Sequence, residues 1–352
     1  MADLGIDVVL LSVGADLPWL TGYTAMPLER LTMLVLPVDA PATLVVPHLE
    51  APRVEPVGDL FTIRPWDETD DPVAAVASLV GAAARVAVSD RTWAAFVLRL
   101  QEAMPEARWT PASAVTGPLR AVKDPDEVDA LARASAAADR VAAQLLAGGI
   151  ALIGRREAEV SREIADRLRA EGHQAVNFAI VAAGPNSASP HHDAGERVIG
   201  PGEAVVCDFG GTLDGYCSDI TRTVFTGSPP PAFVEVYEVV QDAQAAGVRA
   251  AQAGASAEDV DGASRARIAA AGYGEFFIHR TGHGIGREEH EDPYLVSGNR
   301  TLLAPGHAFS IEPGIYLPGQ FGVRIEDIVV VGGDGTPRPL NQADHDLAVV
   351  EA

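Results

Sequence analysis

The chain has 352 residues, 47% hydrophobic and 21% charged, a balance ordinary for globular structure with room for two domains and an ample core. Forty-nine acidic residues against 26 basic ones leave a net charge of −23, which disfavours nucleic acid and anionic membrane as partners. No run of about 18 apolar residues is free of breakers, so no membrane-spanning helix is expected.

In chain order, Met1–Asp7 is acidic and lacks the basic region of a secretory signal. Short apolar runs then follow at Ile6–Leu11, Leu31–Leu36, Thr43–Val46 and Arg85–Val88, with helical patterns near 71–84 and 92–103. That alternation predicts an α/β domain over residues 1–120, with Trp19 and Tyr23 as core aromatics. It carries no cluster of metal-type ligands, so its role is to shape a cleft or build a homodimer.

A second domain is expected over 121–352. Asp124-Pro125-Asp126-Glu127 opens a helix with an N-cap acid, proline at the first position and glutamate at the third, and Gly148-Gly149 should stop it. Another helix spans about 156–171 and ends at Gly172. Pro229-Pro230-Pro231 precedes a long helix to Gly254, and Ser256 with Asp259 caps a last one to Gly272. Each helix pair precedes a strand-turn-strand segment that carries two acids.

In the first, Glu203–Gly210 reads as a buried strand, Gly211–Tyr216 as the turn and the residues to Phe225 as the return strand. A hairpin closed symmetrically about that turn sets Asp208 opposite Asp219, with Cβ atoms roughly 4.5–5.5 Å apart. In the second, Ala308–Glu312 and Val323–Glu326 flank a turn at Pro318–Gly322. The midpoint of Glu312 and Glu326, Gly319, lies one residue from the centre of that turn, which suggests a bulge or an irregular loop, favoured by Pro313. Asp208 and Glu312 both follow apolar runs and sit where core strands belong, and a buried carboxylate needs a partner or a metal. Between the hairpins, His279-Arg280-Thr281-Gly282-His283-Gly284-Ile285-Gly286 surrounds an imidazole with glycines that let backbone pass close to an ion. It lacks the Lys-Ser/Thr ending of a phosphate loop. Asp208, Asp219, His283, Glu312 and Glu326 thus make a donor set whose four carboxylates point to two divalent cations; manganese, cobalt and zinc all suit it. Cys207 and Cys217 fit a reducing cytoplasm as unpaired residues.

Together with Pro190-His191-His192, Ser218-Asp219-Ile220-Thr221-Arg222-Thr223, His290-Glu291-Asp292-Pro293, Ile311-Glu312-Pro313-Gly314-Ile315-Tyr316 and Val323-Arg324-Ile325-Glu326-Asp327, these motifs resemble the Xaa-Pro aminopeptidase and prolidase family of pita-bread metallopeptidases. Leu20-Thr21-Gly22-Tyr23 and Leu119–Lys123 are similar to that family's non-catalytic segments. The resemblance implies an N-terminal α/β domain and an α+β pita-bread catalytic domain with pseudo-twofold symmetry. It implies that Asp208 chelates one ion, His283 and Glu312 the other, that Asp219 and Glu326 bridge both, and that Glu312 manages the proton of the attacking water. His191 and His290 match histidines that contact substrate and stabilise the tetrahedral intermediate, and His279 a position near substrate. Arg324 is expected to orient Glu326 or bind substrate, and Arg300 is a candidate for holding a substrate carboxylate.

The activity implied is dinuclear-metal-dependent cleavage of the Xaa-Pro bond in dipeptides or short peptides. An aminopeptidase acting on longer peptides is the alternative, and a small-molecule amide hydrolase or lyase on the same fold is the third. Creatinase-like chemistry is disfavoured because that branch resembles this pattern with its metal ligands lost.

Overall fold

The computed structural model describes residues 1–55 and 57–351. The chain divides into two compact units, Met1–Arg120 and Ala121–Ala352.

In the first unit, strands β1 (Val8–Leu11), β2 (Met33–Pro37), β3 (Ala42–Pro47), β4 (Phe61–Trp66), β5 (Arg85–Val88) and β6 (Arg108–Pro111) form one sheet in the order β4-β3-β2-β1-β5-β6. Helices α1 (Asp16–Thr21), α2 (Pro72–Val80), α3 (Ala94–Ala103) and α4 (Ser113–Ala121) complete the α/β unit. Successive side chains of β1 face opposite sides: Val9 and Leu11 join one apolar core, Val8 and Leu10 another. The continuous apolar run is therefore that of a strand covered on both faces. Strands β4 and β6 lie at the edges and contain Pro65 and Pro111, which an edge tolerates because proline gives no ladder donor. Tyr23 is part of the core, 6% exposed.

The second unit opens with α5 (Pro125–Leu146). Asp124 accepts from Glu127 N–H at 2.9 Å and Glu127 returns a bond to Asp124 N–H at 3.0 Å, closing a capping box. Next come α6 (Glu157–Ala170) and β7 (Ala175–Ala183), β8 (Ala204–Leu213), β9 (Tyr216–Cys217) and β10 (Ile220–Thr226). Helices α7 (Pro231–Ala250) and α8 (Ala257–Ala270) follow, the second capped reciprocally by Ser256 and Asp259. Strands β11 (Gly282–Gly284), β12 (Glu291–Leu295), β13 (Ala308–Ile311), β14 (Gly314–Leu317), β15 (Phe321–Arg324), β16 (Asp327–Val331), β17 (Pro337–Pro339) and β18 (Ala348–Val350) complete it.

The order helix, helix, sheet therefore occurs twice. One sheet runs β18-β10-β8-β7 and the other β12-β11-β13-β16-β17. Val141, Leu145, Val160 and Ile164 pack the first helix pair on Val181, Val205 and Phe209. Each such fully buried side chain contributes about 1.5–3 kcal/mol, so the sheets are held as rigid supports for what they carry.

Both hairpins depart from the expected registers. In the first, the strand continues through Leu213 and the turn is the two-residue Asp214-Gly215, at φ 51° and 80°. Both residues are left-handed, as a tight hairpin whose twist matches its strands requires. Asp208 consequently faces Thr221, not Asp219. A shift of two residues keeps every side chain on its original face, so the two aspartates still share one side of the sheet.

In the second, the irregularity is an interrupted ladder and not a bulge. The ladder stops after Ile311↔Asp327 and resumes at Gly314↔Arg324 in the same register. Pro313 interrupts pairing without adding a residue. The loop centres on Gly319, at φ 73°, which places Glu312 and Glu326 level with each other in the gap.

Candidate active site

Three adjacent strands bring the donors together. Thr221 sits on β10 between Asp208 on β8 and Glu326, to which it is joined by an isolated antiparallel bridge. Glu326 N–H donates to Thr221 O at 3.2 Å and the Thr221 hydroxyl to Glu326 Oε2 at 2.6 Å. This bond couples the first carboxylate hairpin to the second.

His283 arrives from β11, whose glycines lie against the backbone of the neighbouring strands. A Cβ on Gly282 would lie 1.9 Å from Ser310 O, and one on Gly284 2.2 Å from Asp292 O. The glycines admit the neighbouring strands, and that close packing fixes the imidazole. Ligand atoms of Asp219, His283 and Glu326 lie within 4.8 Å of one another. Glu312 Oε1 is 3.4 Å from His283 Nε2, and Asp219 Oδ2 is 3.7 Å from it. Asp208 lines the same cavity of about 410 Å³. Arg324 Nη2 donates to its Oδ2 at 2.7 Å, while its Oδ1 is buried with no hydrogen-bond partner among the described residues.

The electrostatics fit a cation site. Burial, then Glu326 and Asp208, hold Asp219 far above the usual carboxylate range, and burial followed by Glu312 does the same to Glu326. Glu312 is pushed up to about 7 by burial, against the pull of Arg324. Burial, followed by His290, pushes His283 down to about 3. The imidazole is therefore neutral, with Nδ1 3.2 Å from Gly284 O. A proton on Nδ1 donated to that carbonyl leaves the Nε2 lone pair facing two carboxylates. Divalent cations suit such a set, because they need anionic oxygens and neutral imidazole together and satisfy the orphaned Asp208 oxygen.

The other expected residues divide. His191 and His290 line the cavity on its solvent side, and the His290 ring lies 4.0 Å from that of His283. His279 also lines it, but both ring nitrogens are engaged: Nδ1 with Arg280 O at 2.7 Å and Nε2 with the Tyr316 hydroxyl at 2.8 Å. Burial pushes it down to about 3, so Tyr316 donates to a neutral ring. Arg324 completes the relay, donating to Tyr316 Oη at 2.7 Å and to Thr221 Oγ1 at 3.1 Å. Arg300 is elsewhere, an exposed residue beside Glu258.

Tyr316, Thr221 and Arg280 were not singled out from the sequence. For two of them the signal was present as strand alternation: Thr221 follows Asp219 by two and Tyr316 follows Glu312 by four, so each shares a face with a donor. Phe178 and Ile180 supply an apolar wall, and Ile180 pairs with Asp208 across the sheet.

Residues 129–332 match the metallopeptidase family M24, and residues 1–122 match the creatinase/prolidase N-terminal domain. The chain belongs to family M24. Among relatives of this M24 chain, a probable dipeptidase PepE of Mycobacterium bovis is 44% identical, covering 99% of this chain and 93% of the relative. An Xaa-Pro dipeptidase of Lactobacillus helveticus is 37% identical over 99% of this chain and 96% of its own. The crystal structure of a recombinant prolidase from Thermococcus sibiricus superposes with a TM-score of 0.93 at 36% identity, covering 99% and 96% of the two chains. The protein is accordingly a metallopeptidase with a creatinase-type N-terminal domain and a pita-bread catalytic domain. Membership of M24 implies use of divalent metal. Among the described residues no helix is long and apolar enough to cross a membrane.

Proposed function

We propose that this M24 peptidase hydrolyses the Xaa-Pro bond of dipeptides with two divalent cations per chain, drawn from manganese, cobalt and zinc. The observation that carries the reading is the convergence of five donors, with an orphaned Asp208 oxygen, on one cavity. Asp208, Asp219, His283, Glu312 and Glu326 would hold the ions. Bound there, they would supply activated water and polarise the scissile carbonyl.

The remaining steps belong to side chains. Glu312, at the edge of the donor set beside His283, takes the proton from the attacking water and passes it to the departing proline nitrogen. His290 and His191, on the open side, hydrogen-bond the carbonyl oxygen as it gains charge. Phe178, Ile180 and Pro190 offer apolar surface for the proline ring. Selection for proline rests on shape, since its nitrogen in an Xaa-Pro bond has no hydrogen to donate. A cavity of this volume lies at the small end of ligand sites, which favours a dipeptide over a longer chain.

Elemental analysis of protein reconstituted with each metal, combined with kcat/KM on Xaa-Pro dipeptides and on tripeptides, tests the reading. Two ions per chain and preference for dipeptides support it. Faster cleavage of tripeptides moves the assignment to an aminopeptidase, and loss of all Xaa-Pro cleavage by the loaded protein moves it to a small-molecule hydrolase or lyase.

A further inference from the structure

The irregular segment between β7 and β8 brings Pro190 and His191 to the cavity wall. His191 is exposed and lies outside any helix or strand, so its aim is set by the backbone beneath it. A loop histidine that must meet a developing charge needs that backbone held closely, since a misplacement of about 1 Å can cost ~10²-fold in rate.

A single carboxylate gathers the segment. Glu157, the first residue of α6, has a fully buried side chain. Its Oε1 accepts from Ala183 N–H at 2.8 Å and from Asn186 Nδ2 at 2.9 Å, and its Oε2 from Asn186 Nδ2 at 3.1 Å and from Gly195 N–H at 3.4 Å. His192 Nε2 lies 2.9 Å from the same Oε2. A carboxylate oxygen only accepts, so the His192 ring presents Nε2–H to it. These donors and the N-terminus of α6 offset the cost of burying the charge. On the other side of His191, Gly322 N–H of β15 donates to Ser187 Oγ at 2.8 Å, and a Cβ on Gly322 would lie 2.0 Å from Ser187 O. The stretch with Pro190 and His191 is thus held at Ser187 and again at His192. Neither Glu157 nor His192 is among the described residues that line the cavity, so any effect of theirs on the reaction passes through a neighbour.

We propose that Glu157 and His192 form a latch that aims His191 into the cavity, which makes His192 a positioning residue for the reaction. The inference rests on the Xaa-Pro reading above. The competing account is that the pair only stabilises the fold.

The test measures kcat and KM on an Xaa-Pro dipeptide, with metal content and Tm, for the wild type, His191→Ala, His192→Leu, His192→Gln and the double variant His191→Ala/His192→Leu. His192→Leu should lower kcat by ~10-fold, with KM changed less and metal content unchanged. His192→Gln should recover most of the loss, because its amide nitrogen can still donate to Glu157. In the His191→Ala background, His192→Leu should cost under ~2-fold, since the group it aims is already gone. Should the Leu variant not fold, Asn186→Ala removes another donor from Glu157 and gives the same comparison. Equal losses in both backgrounds, a Gln variant no better than Leu, or no loss at all overturns the latch and leaves the peptidase reading standing. A wild type that cleaves no Xaa-Pro bond overturns both.

Discussion

Arg324 Nη2 lies 2.7 Å from Asp208 Oδ2, while the other oxygen of that carboxylate is buried without a partner among the described residues. One guanidinium thus orients a carboxylate that lines the same cavity as the other donors, and the same guanidinium holds Tyr316 and through it His279. Removing it leaves Asp208 free to rotate. Arg324→Met should weaken metal binding by about 10–100-fold, read by titration with buffered manganese; an unchanged metal Kd would show that Asp208 needs no such support.

His191 and His290 line the cavity beside the donors, the His290 ring 4.0 Å from that of His283. His191→Ala and His290→Ala should lower kcat by ~10²-fold or more, as for lost stabilisation of developing charge. Metal content should remain at the wild-type value. Loss of metal in parallel with activity would make these residues ligands.

Gly282 tests the strand contact behind His283. A methyl there would meet Ser310 O at 1.9 Å, backbone that cannot step aside without parting β11 from β13. Gly282→Ala should cost about 1–3 kcal/mol or more, seen as a lowered Tm in metal-free protein. A Tm within error of wild type would contradict the packing described.

His307 gives the acid limb of stability. It is 6% exposed, and its Nδ1 accepts from Ala304 N–H at 3.2 Å, a bond that needs an unprotonated nitrogen. Burial first, then Lys123, pushes it down to about 4. The unfolded chain takes up this proton near 6.5, so the stability it contributes is complete above that pH and is lost as pH falls through about 4. The slope is at most about 1.4 kcal/mol per pH unit. Urea denaturation of metal-free wild type and His307→Gln should therefore give a stability difference that shrinks on acidification over that window. A difference independent of pH would exclude the titration.

Much of the molecule is local in origin and was legible without coordinates. The capping box at Asp124 and Glu127 is formed, and Ser256 caps α8, because a cap depends on residues three apart. The apolar runs of the first unit became strands for the same reason. Asp208 and Glu312 could be singled out because acids following buried-strand patterns are anomalous in any fold.

What only the tertiary structure decided spans longer separations. The two-residue turn at Asp214-Gly215 set Asp208 against Thr221, since turn geometry fixes register where an alternating pattern fits two choices on the same face. The parallel return of β18 to β10 and the bonds from Arg324 to Asp208 and from Thr221 to Glu326 join residues about a hundred positions apart. The sequence marks Arg324 as a residue that orients Glu326 or meets substrate, and gives no sign of its bonds to Asp208 and Tyr316. Its place as the centre of a relay exists only once the two sheets pack, because a side chain's partners are set by what the fold brings beside it and not by its neighbours in the chain.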